Sequence, residues 1–581
     1  MSITVLKSKR QVPNYSLYAW GLIFFFTLLQ VVRWKMLPQF IDDYYHLLVA
    51  QNFIKAGGWV GWDFFEYAPW GRPHLYPPVY HMVLSFFLKI GVQPLVLLKT
   101  VEVAVVPAFL ITLFLTARKM FSGLFAFFAV LICGSYFHFF VSLTSNVPAT
   151  LALVFGLAGS MGIVRRDTIA AVGGLVLCAY THTGISLAFL SGSIVFFILQ
   201  RQSLRWFLTV IFSVVLFSSP LWLHQLKYLH LVRQSIAAES RFVHMNIAVL
   251  LCGCAGLWVL LRRKGPYYLI IGLIIGFSIV FFRYFYRYFA AQGFLPWALA
   301  ASAWCAAMVE YLQRKSVGTR RVYYPVFLGL WALFFFFTPT FALDNMKPSW
   351  SWTDSTFNNY SSGGLFKSVP YNTLYSHRYF SPVEAIISAE TDRGAIITSN
   401  SAIVSVMIAA LTNRFTADAL FREVKPPHIL DQPTAVKYPT RDTFMVSGVV
   451  VWVKSAGLFP LPEYHGLRPC LPALREQAGM NCTGRRPTRA APDRGCNRDP
   501  RVLPVGAPVE RPEASAQAFY TRMHQLTLLY ENELFAVYRA PVATAAVTIP
   551  KSRHPFWLLY PLLAGIGLTT LLRGLWLLKT G

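Results

Sequence analysis

The chain has 581 residues, 55% of them hydrophobic and only 13% charged, with a mean hydropathy of +0.48. Soluble domains carry roughly a quarter of their residues as charges, so the composition excludes an ordinary soluble protein and describes a polytopic membrane protein. The net charge of +27 sits in short clusters between apolar runs, which argues against nucleic acid as a partner and fits the basic bias of cytoplasmic loops.

A membrane span needs about 20 predominantly apolar residues. The first runs from Tyr15 to Val32 and follows Lys7, Lys9 and Arg10, so it reads as a retained span with a cytoplasmic N-terminus. Further spans are expected at about 95–117, 121–142, 146–164, 168–183, 184–200, 206–223, 245–261, 266–282, 288–309, 323–343 and 556–577. The basic groups at Arg118-Lys119, Arg165-Arg166, Arg201 with Arg205, Arg262-Arg263-Lys264, and Arg314-Lys315 with Arg320-Arg321 then fall on one side. They do so only if Val79 to Val92 is an interfacial helix and not a crossing. About twelve spans with both termini inside is the resulting expectation.

Residues 1–343 thus form the helical membrane part, with its first outer loop at 34–94. Residues 344–554 read as an extracytoplasmic α/β domain, and 555–581 as a final transmembrane helix. Within the α/β region, Trp350 to Ser381 reads as loops over the membrane surface, and 394–398 with 401–411 as a strand followed by a helix. Thr443 to Val453 reads as a strand, and Leu526 to Tyr530 with Leu534 to Tyr538 as a hairpin. Residues 466–517 contain no Phe, Tyr, Trp, Ile or Lys; such a stretch cannot bury a core and is read as disordered, or as an inserted or out-of-frame segment. Cys133, Cys178, Cys252, Cys254 and Cys305 lie in apolar runs as small core residues. Cys470, Cys482 and Cys496 are an odd set that implies no disulfide framework.

The acids are densest in the first outer loop, which begins Ile41-Asp42-Asp43-Tyr44-Tyr45-His46. Acids beside a membrane are costly to desolvate, so they are usually hydrated, paired or functional. Either Asp42 and Asp43 are solvated loop residues, or one is a general base whose pKa its neighbour raises. Asp63 and Glu66 read more simply as solvated. Asp42-x-Tyr44-Tyr45-His46, followed by Gly57-Gly58-Trp59, Trp62-Asp63 and Tyr76-Pro77-Pro78 before an apolar helix, resembles the GT-C superfamily of glycosyltransferases. The nearest match is similar to the catalytic subunit of archaeal and bacterial oligosaccharyltransferase; aminoarabinose transferases and protein O-mannosyltransferases share the broader layout.

That resemblance implies a polyprenyl-phosphate-linked sugar donor, an essential acid at Asp42 with Asp43 as an extra one, and Tyr45 and His46 beside the substrate. It also implies a divalent metal, Mg or Mn, with Asp42 as ligand. The resembled enzymes add a second acidic motif from a later outer loop, whereas the corresponding segment here, Ser142-Leu143-Thr144-Ser145-Asn146-Val147-Pro148, carries no acid, and hard cations favour several charged oxygens. The cofactor stays open. Trp350-Ser351-Trp352-Thr353-Asp354 is not the expected sequon-recognition motif, which favours an acceptor other than a protein asparagine.

Arg283 and Arg287 are the phosphate-binding candidates, since guanidinium forks hold phosphate oxygens bidentately; interfacial snorkelling is the alternative. His182 is a candidate for the same cavity or a structural histidine. His46, His74 and His81 could join Asp42 at a metal, though their spacing matches no specific site. The reading is an inverting glycosyltransferase in a bacterial inner or archaeal membrane, working on its outer face among membrane lipids, with a lipid, glycan or protein as acceptor. The rival is a transporter or flippase of a lipid-linked glycan precursor, and a non-catalytic scaffold is a third reading.

Overall fold

The computed structural model describes residues 14–38, 40–201, 203–232, 242–314, 320–344, 347–362, 377–399, 402–417, 449–453, 527–531 and 535–539, with scattered positions from 549 to 573. The segment 466–517 and the three cysteines in it lie outside the described residues, as does most of the span expected at 556–577.

Ten helices account for the first 227 residues. They are α1 (Tyr15–Val32), α2 (Asp42–Ala56), α3 (Val79–Lys89), α4 (Pro94–Met120), α5 (Gly123–Ser135), α6 (Phe137–Ser145), α7 (Val147–Arg165), α8 (Thr168–Ala179), α9 (Thr183–Gln200) and α10 (Leu204–Lys227). Then come α11 (Ile247–Arg263), α12 (Tyr268–Phe281), the short α13 (Phe285–Phe289), α14 (Phe294–Arg314) and α15 (Arg320–Phe335). Among the described residues, six helices are long and apolar enough to cross a membrane, and five more are apolar but shorter. The segment read as interfacial is the 11-residue α3, too short to span. Cys254 departs from its expected core position: it is exposed on α11, while Cys133, Cys178 and Cys305 are buried.

Two expected spans differ in form. The one placed at 121–142 is two helices, broken at Tyr136, whose ψ of 114° is extended. Thr356 Oγ1 donates to the Gly134 carbonyl at 2.7 Å, and Tyr136 bridges to Ser355, so backbone groups at the break find partners. The span placed at 323–343 ends as a helix at Phe335. Pro339 cannot donate to a helix and disfavours helical backbone at Thr338. The chain instead forms β5 (Thr340–Asp344), paired antiparallel with β4 (Phe242–Asn246) on one edge and β6 (Lys347–Ser351) on the other. Part of the region read as surface loops is therefore a strand, followed by α16 (Thr356–Ser361).

The two ends of the bundle differ in chemistry. At one end the basic groups gather: Arg263 pairs with Glu310, and Gln313 donates to the hydroxyls of Tyr15 and Tyr323 at 2.9 and 2.8 Å. At the other end the loop between α1 and α4 is knitted to the tips of three helices. Val79 N–H donates to the Tyr180 carbonyl at 2.9 Å, and Gln225 Nε2 donates to the Leu75 carbonyl and to Thr183 Oγ1, both at 2.8 Å.

A five-stranded sheet comes next in the chain, ordered β10–β11–β9–β7–β8, from β7 (Ile396–Ser399), β8 (Phe415–Thr416), β9 (Val449–Val453), β10 (Thr527–Glu531) and β11 (Phe535–Arg539). β7 is parallel to β8 and β9, and β10, β11 and β9 run antiparallel. The strand and helix read at 394–411 and the hairpin read at 526–538 are present, with α17 (His377–Glu390) before them and α18 (Ala402–Thr412) joining β7 to β8. This layer docks on the first loop. Thr416 N–H donates to the Phe65 carbonyl at 2.8 Å, Ala68 N–H donates to the Thr416 carbonyl at 2.9 Å, and Gln51 Nε2 donates to the Ala410 carbonyl at 2.7 Å.

Small residues let α9 and α12 touch backbone to backbone. A Cβ at Gly276 would lie 2.2 Å from the Ala188 carbonyl oxygen, and one at Gly272 would lie 2.3 Å from that of Gly192. Such contacts are backbone on both sides, so neither can rotate away. Gly276→Ala should therefore cost about 1–3 kcal/mol, read as a lowered thermal unfolding midpoint of the detergent-solubilised protein, whereas Ala at the uncrowded Gly329 should leave it unchanged.

Candidate active site in the first loop

The loop helix α2 starts at Asp42 and ends in a left-handed Gly57, with φ of 79°. After the two-residue β1 (Gly58–Trp59), two short strands fold the chain back on itself: β2 (Trp62–Asp63) pairs with β3 (Arg72–Pro73), setting Asp63 opposite Arg72. This overturns the solvated reading of Asp63 and Glu66, both of which are 0% exposed. Arg72 donates to Glu66 Oε2 through Nε at 3.0 Å and through Nη2 at 2.6 Å, and its guanidinium lies over the Tyr45 ring at 5.4 Å. Asp63 accepts from Phe65 N–H at 2.9 Å and Asn52 Nδ2 at 3.3 Å. Burial raises the Asp63 carboxyl, and Arg72 with these donors opposes that rise.

A nest of rings sits beside this pair. His46 Nδ1 and His81 Nε2 are 2.9 Å apart, Tyr45 Oη is 3.5 Å from His74 Nδ1, and the His74 and His81 rings are 5.3 Å apart. The Tyr76 ring centre lies 5.0 Å from that of His46, 5.6 Å from that of His81 and 6.0 Å from that of His182. Burial lowers His46, His74 and His81, the last to about 3, and the neighbouring rings lower the first two further. His46, His74 and His81 thus converge, yet among the described residues no three His, Cys, Asp or Glu side chains are arranged to hold a metal ion.

His182 caps α9: its Nδ1 accepts from Ile185 N–H at 3.3 Å. In the neutral ring that assignment puts the proton on Nε2, leaving a donor there. Its pKa is lowered by burial first and by Arg287 second, which places Arg287 within electrostatic reach. Arg283 is not drawn in: it is exposed, with its guanidinium 5.3 Å from the Phe282 ring centre. The motif's two acids are also separated by the fold. Asp42 keeps partial solvent access, whereas Asp43 is 2% exposed and hydrogen-bonds to Glu102 of α4. Burial and then the Glu102 carboxyl raise Asp43, since two buried adjacent acids cannot both ionise.

Glu102, fully buried in a helix meant for lipid, is the residue that sequence reasoning passed over. A single acid inside an apolar span was the available signal. Arg33 lies near enough to feel it, and Gln30 ties the two together, donating to the Glu102 carbonyl at 3.4 Å and accepting from Arg33 at 2.9 Å.

No protein-family profile matches the chain, and no curated protein matches it. Among solved structures it is similar to the Archaeoglobus fulgidus oligosaccharyltransferase in complex with Zn and sulfate, at 11% identity over 74% of this chain and 68% of that one, TM-score 0.40. It is also similar to the archaeal oligosaccharyltransferase AglB from Archaeoglobus fulgidus in complex with an inhibitory peptide and a dolichol-phosphate, at 10% identity over 75% and 69%, TM-score 0.42. A third is the Archaeoglobus fulgidus enzyme tethered with an acceptor peptide containing the NVT sequon, at 11% identity over 75% and 69%, TM-score 0.40. The functional reading rests on the residues of this chain.

Two tests bear on the site's construction. Glu66→Gln leaves Arg72 buried without its counter-charge, which should cost about 3–5 kcal/mol, read as loss of the folded fraction in thermal melts, while the exposed Glu390→Gln should be silent. Histidines held neutral by burial stabilise the fold fully above the unfolded value of 6.5. That stability is lost as pH falls below 6.5 toward their folded values, by about 1.4 kcal/mol per histidine per pH unit. The unfolding midpoint should drop between pH 7 and 4, and His81→Gln should flatten that drop.

Proposed function

We propose that the protein is an integral-membrane glycosyltransferase that takes a sugar from a polyprenyl-phosphate-linked donor and passes it to an acceptor on the outer face of the membrane. The observation that carries this reading is that His182 caps the N-terminus of α9 beside the Tyr76 ring, with Arg287 within electrostatic reach. A helix N-terminus, a neutral imidazole N–H and a guanidinium are all donors, and together they suit a phosphate. On the reading that the basic clusters are cytoplasmic, this site lies at the outer rim, where a lipid donor enters sideways between helices.

Each group then has a role. Arg287 and His182 hold the donor phosphate and stabilise the charge it gains as the sugar leaves. Asp42, the more accessible of the two acids, takes the proton of the attacking acceptor. Asp43, its carboxyl raised by burial and by Glu102, fixes the start of α2 and so the position of Asp42; it is a positioning residue. Tyr45, His46 and Tyr76 form the wall beside the sugar. The first-loop motif that the chain shares with GT-C glycosyltransferases supports the same reading. A divalent metal remains an expectation of that resemblance on Asp42; the nearby histidines are engaged with one another.

The rival reading, a flippase of a lipid-linked glycan, draws on the buried Arg33, Glu102 and Gln30 within or beside membrane helices, since intramembrane charges mark transport paths. One experiment separates them. Purified protein is incubated with lipid extract containing polyprenyl-linked sugars, and free polyprenyl phosphate is quantified by mass spectrometry. Asp42→Asn and Arg287→Ala should each lower its release at least ~100-fold, with Arg283→Ala near wild type. Full release from Asp42→Asn would remove the catalytic role, and translocation into liposomes without sugar release would favour the flippase.

A further inference from the structure

The turn between β6 and α16 closes around a cavity of about 340 Å³. Ser351 and Thr353 line one part, Asp354 follows, and Asn358 and Asn359 of α16 line the rest with the serines that end the helix. The volume falls in the range of small-molecule sites, roughly 300–1,000 Å³. The lining departs from theirs: such sites are mostly apolar and aromatic, whereas every residue here carries a hydroxyl, an amide or a carboxylate. Among the described residues the lining holds no cation to meet a phosphate and no apolar side chain to meet a lipid tail.

The walls are held by the rest of the fold. Thr338 N–H donates to the Trp352 carbonyl at 3.2 Å, and Thr338 bridges to Thr353; Ser355 Oγ accepts from Asn358 N–H at 3.0 Å. The amide side chains commit their donors to the protein. Asn359 Nδ2 donates to Asp354 Oδ1 at 3.1 Å and to the Ser355 carbonyl at 3.0 Å, and Asn358 Nδ2 donates to the Phe336 carbonyl. Those acceptors fix which way each amide is turned. Asp354 Oδ2 lies 3.0 Å from His138 Nε2. Burial works against ionisation of Asp354, and the bonds from His138, Asn359 and Thr340 outweigh it, holding the carboxyl below its ordinary value. A carboxylate has about four lone-pair positions; these partners take three, which leaves one acceptor position.

What the cavity presents is therefore oxygen: a carboxylate position, two amide oxygens, and the hydroxyls of Ser351 and Thr353, which donate or accept. That set matches a ligand with many O–H donors and no net charge. A hard cation matches less well, because one shared carboxylate falls short of the several charged oxygens it favours. Among the described residues no three His, Cys, Asp or Glu side chains are arranged to hold one. We propose that the cavity is a carbohydrate-binding site for a neutral sugar unit, whose hydroxyls donate to Asp354 and Asn359 and exchange hydrogen bonds with Ser351 and Thr353. This inference does not depend on the transfer reaction.

The test uses the full chain in phosphatidylcholine nanodiscs, which carry no sugar headgroup. Saturation-transfer NMR is recorded with neutral maltotriose and mannotriose, with an acidic galacturonate trimer, and with cadaverine, an amine that has no hydroxyl. At least one neutral probe should be saturated, and cadaverine should not displace it. Ser361→Trp, made at an exposed position of the lining, should fill the cavity and abolish the signal. The isosteric Thr353→Val removes one hydroxyl and should weaken binding about fivefold, with the thermal midpoint unchanged in both variants. Displacement by cadaverine would show a cation site, saturation of the galacturonate trimer alone an anion site, and full signal in both variants a sugar bound elsewhere. Each of these, like silence from both neutral probes, would overturn the assignment.

Discussion

The buried pairing of Arg72 with Glu66 is the interaction on which the rest of the site depends. Both side chains are removed from water, where neither charge is tolerated alone. Their union fixes the fold-back of β2 onto β3, and Arg72 at the same time lies over Tyr45. From there the geometry passes along the chain: His74 comes directly after β3 and meets Tyr45, and Tyr76 reaches the His46–His81 pair. Gln225 holds the Leu75 carbonyl and Tyr180 holds the start of α3, so the loop is clamped on either side of Tyr76. The C-terminal sheet closes the same unit from outside, through Phe65, Ala68 and Thr416. Lys55 lies 4.5 Å from the ring centres of both Phe65 and Phe415, so the layer and the loop share one cation.

Charge is sorted within this frame. Beside the Tyr76 ring stand donors, the α9 N-terminus and His182, with Arg287 in electrostatic reach. Acids gather instead at the start of α2, where Asp43 leans on Glu102 and Asp42 remains open to water. The first-loop histidines stay neutral because burial makes their charged form costly, so they add no charge to either group.

Much of the fold was legible from periodicity alone. Apolar runs gave the helices, a 14-residue run marked α3 as non-spanning, and β-branched runs bounded by polar turns gave β7, β9 and the β10–β11 hairpin. The misreadings share a cause. Tyr136 breaks a span and Thr338-Pro339 ends another because partners far along the chain, at Thr356 and in β4 and β6, satisfy the freed backbone groups. Glu66 and Asp63 looked solvated because their partners, Arg72 and Asn52, become partners only when the loop folds back.

By itself the sequence determined the membrane class, the basic end of the bundle and the loop that holds the acids, because hydropathy and charge asymmetry act locally along the chain. Tertiary structure alone decided which of those residues meet. Arg287 comes within electrostatic reach of His182 while Arg283, four residues earlier, stays exposed; Asp43 gains Glu102 while Asp42 stays partly exposed. Asp42 and Asp43 are neighbours on α2 and so face different surroundings, Arg283 precedes the helix that carries Arg287, and only packing fixes which surroundings each side chain meets.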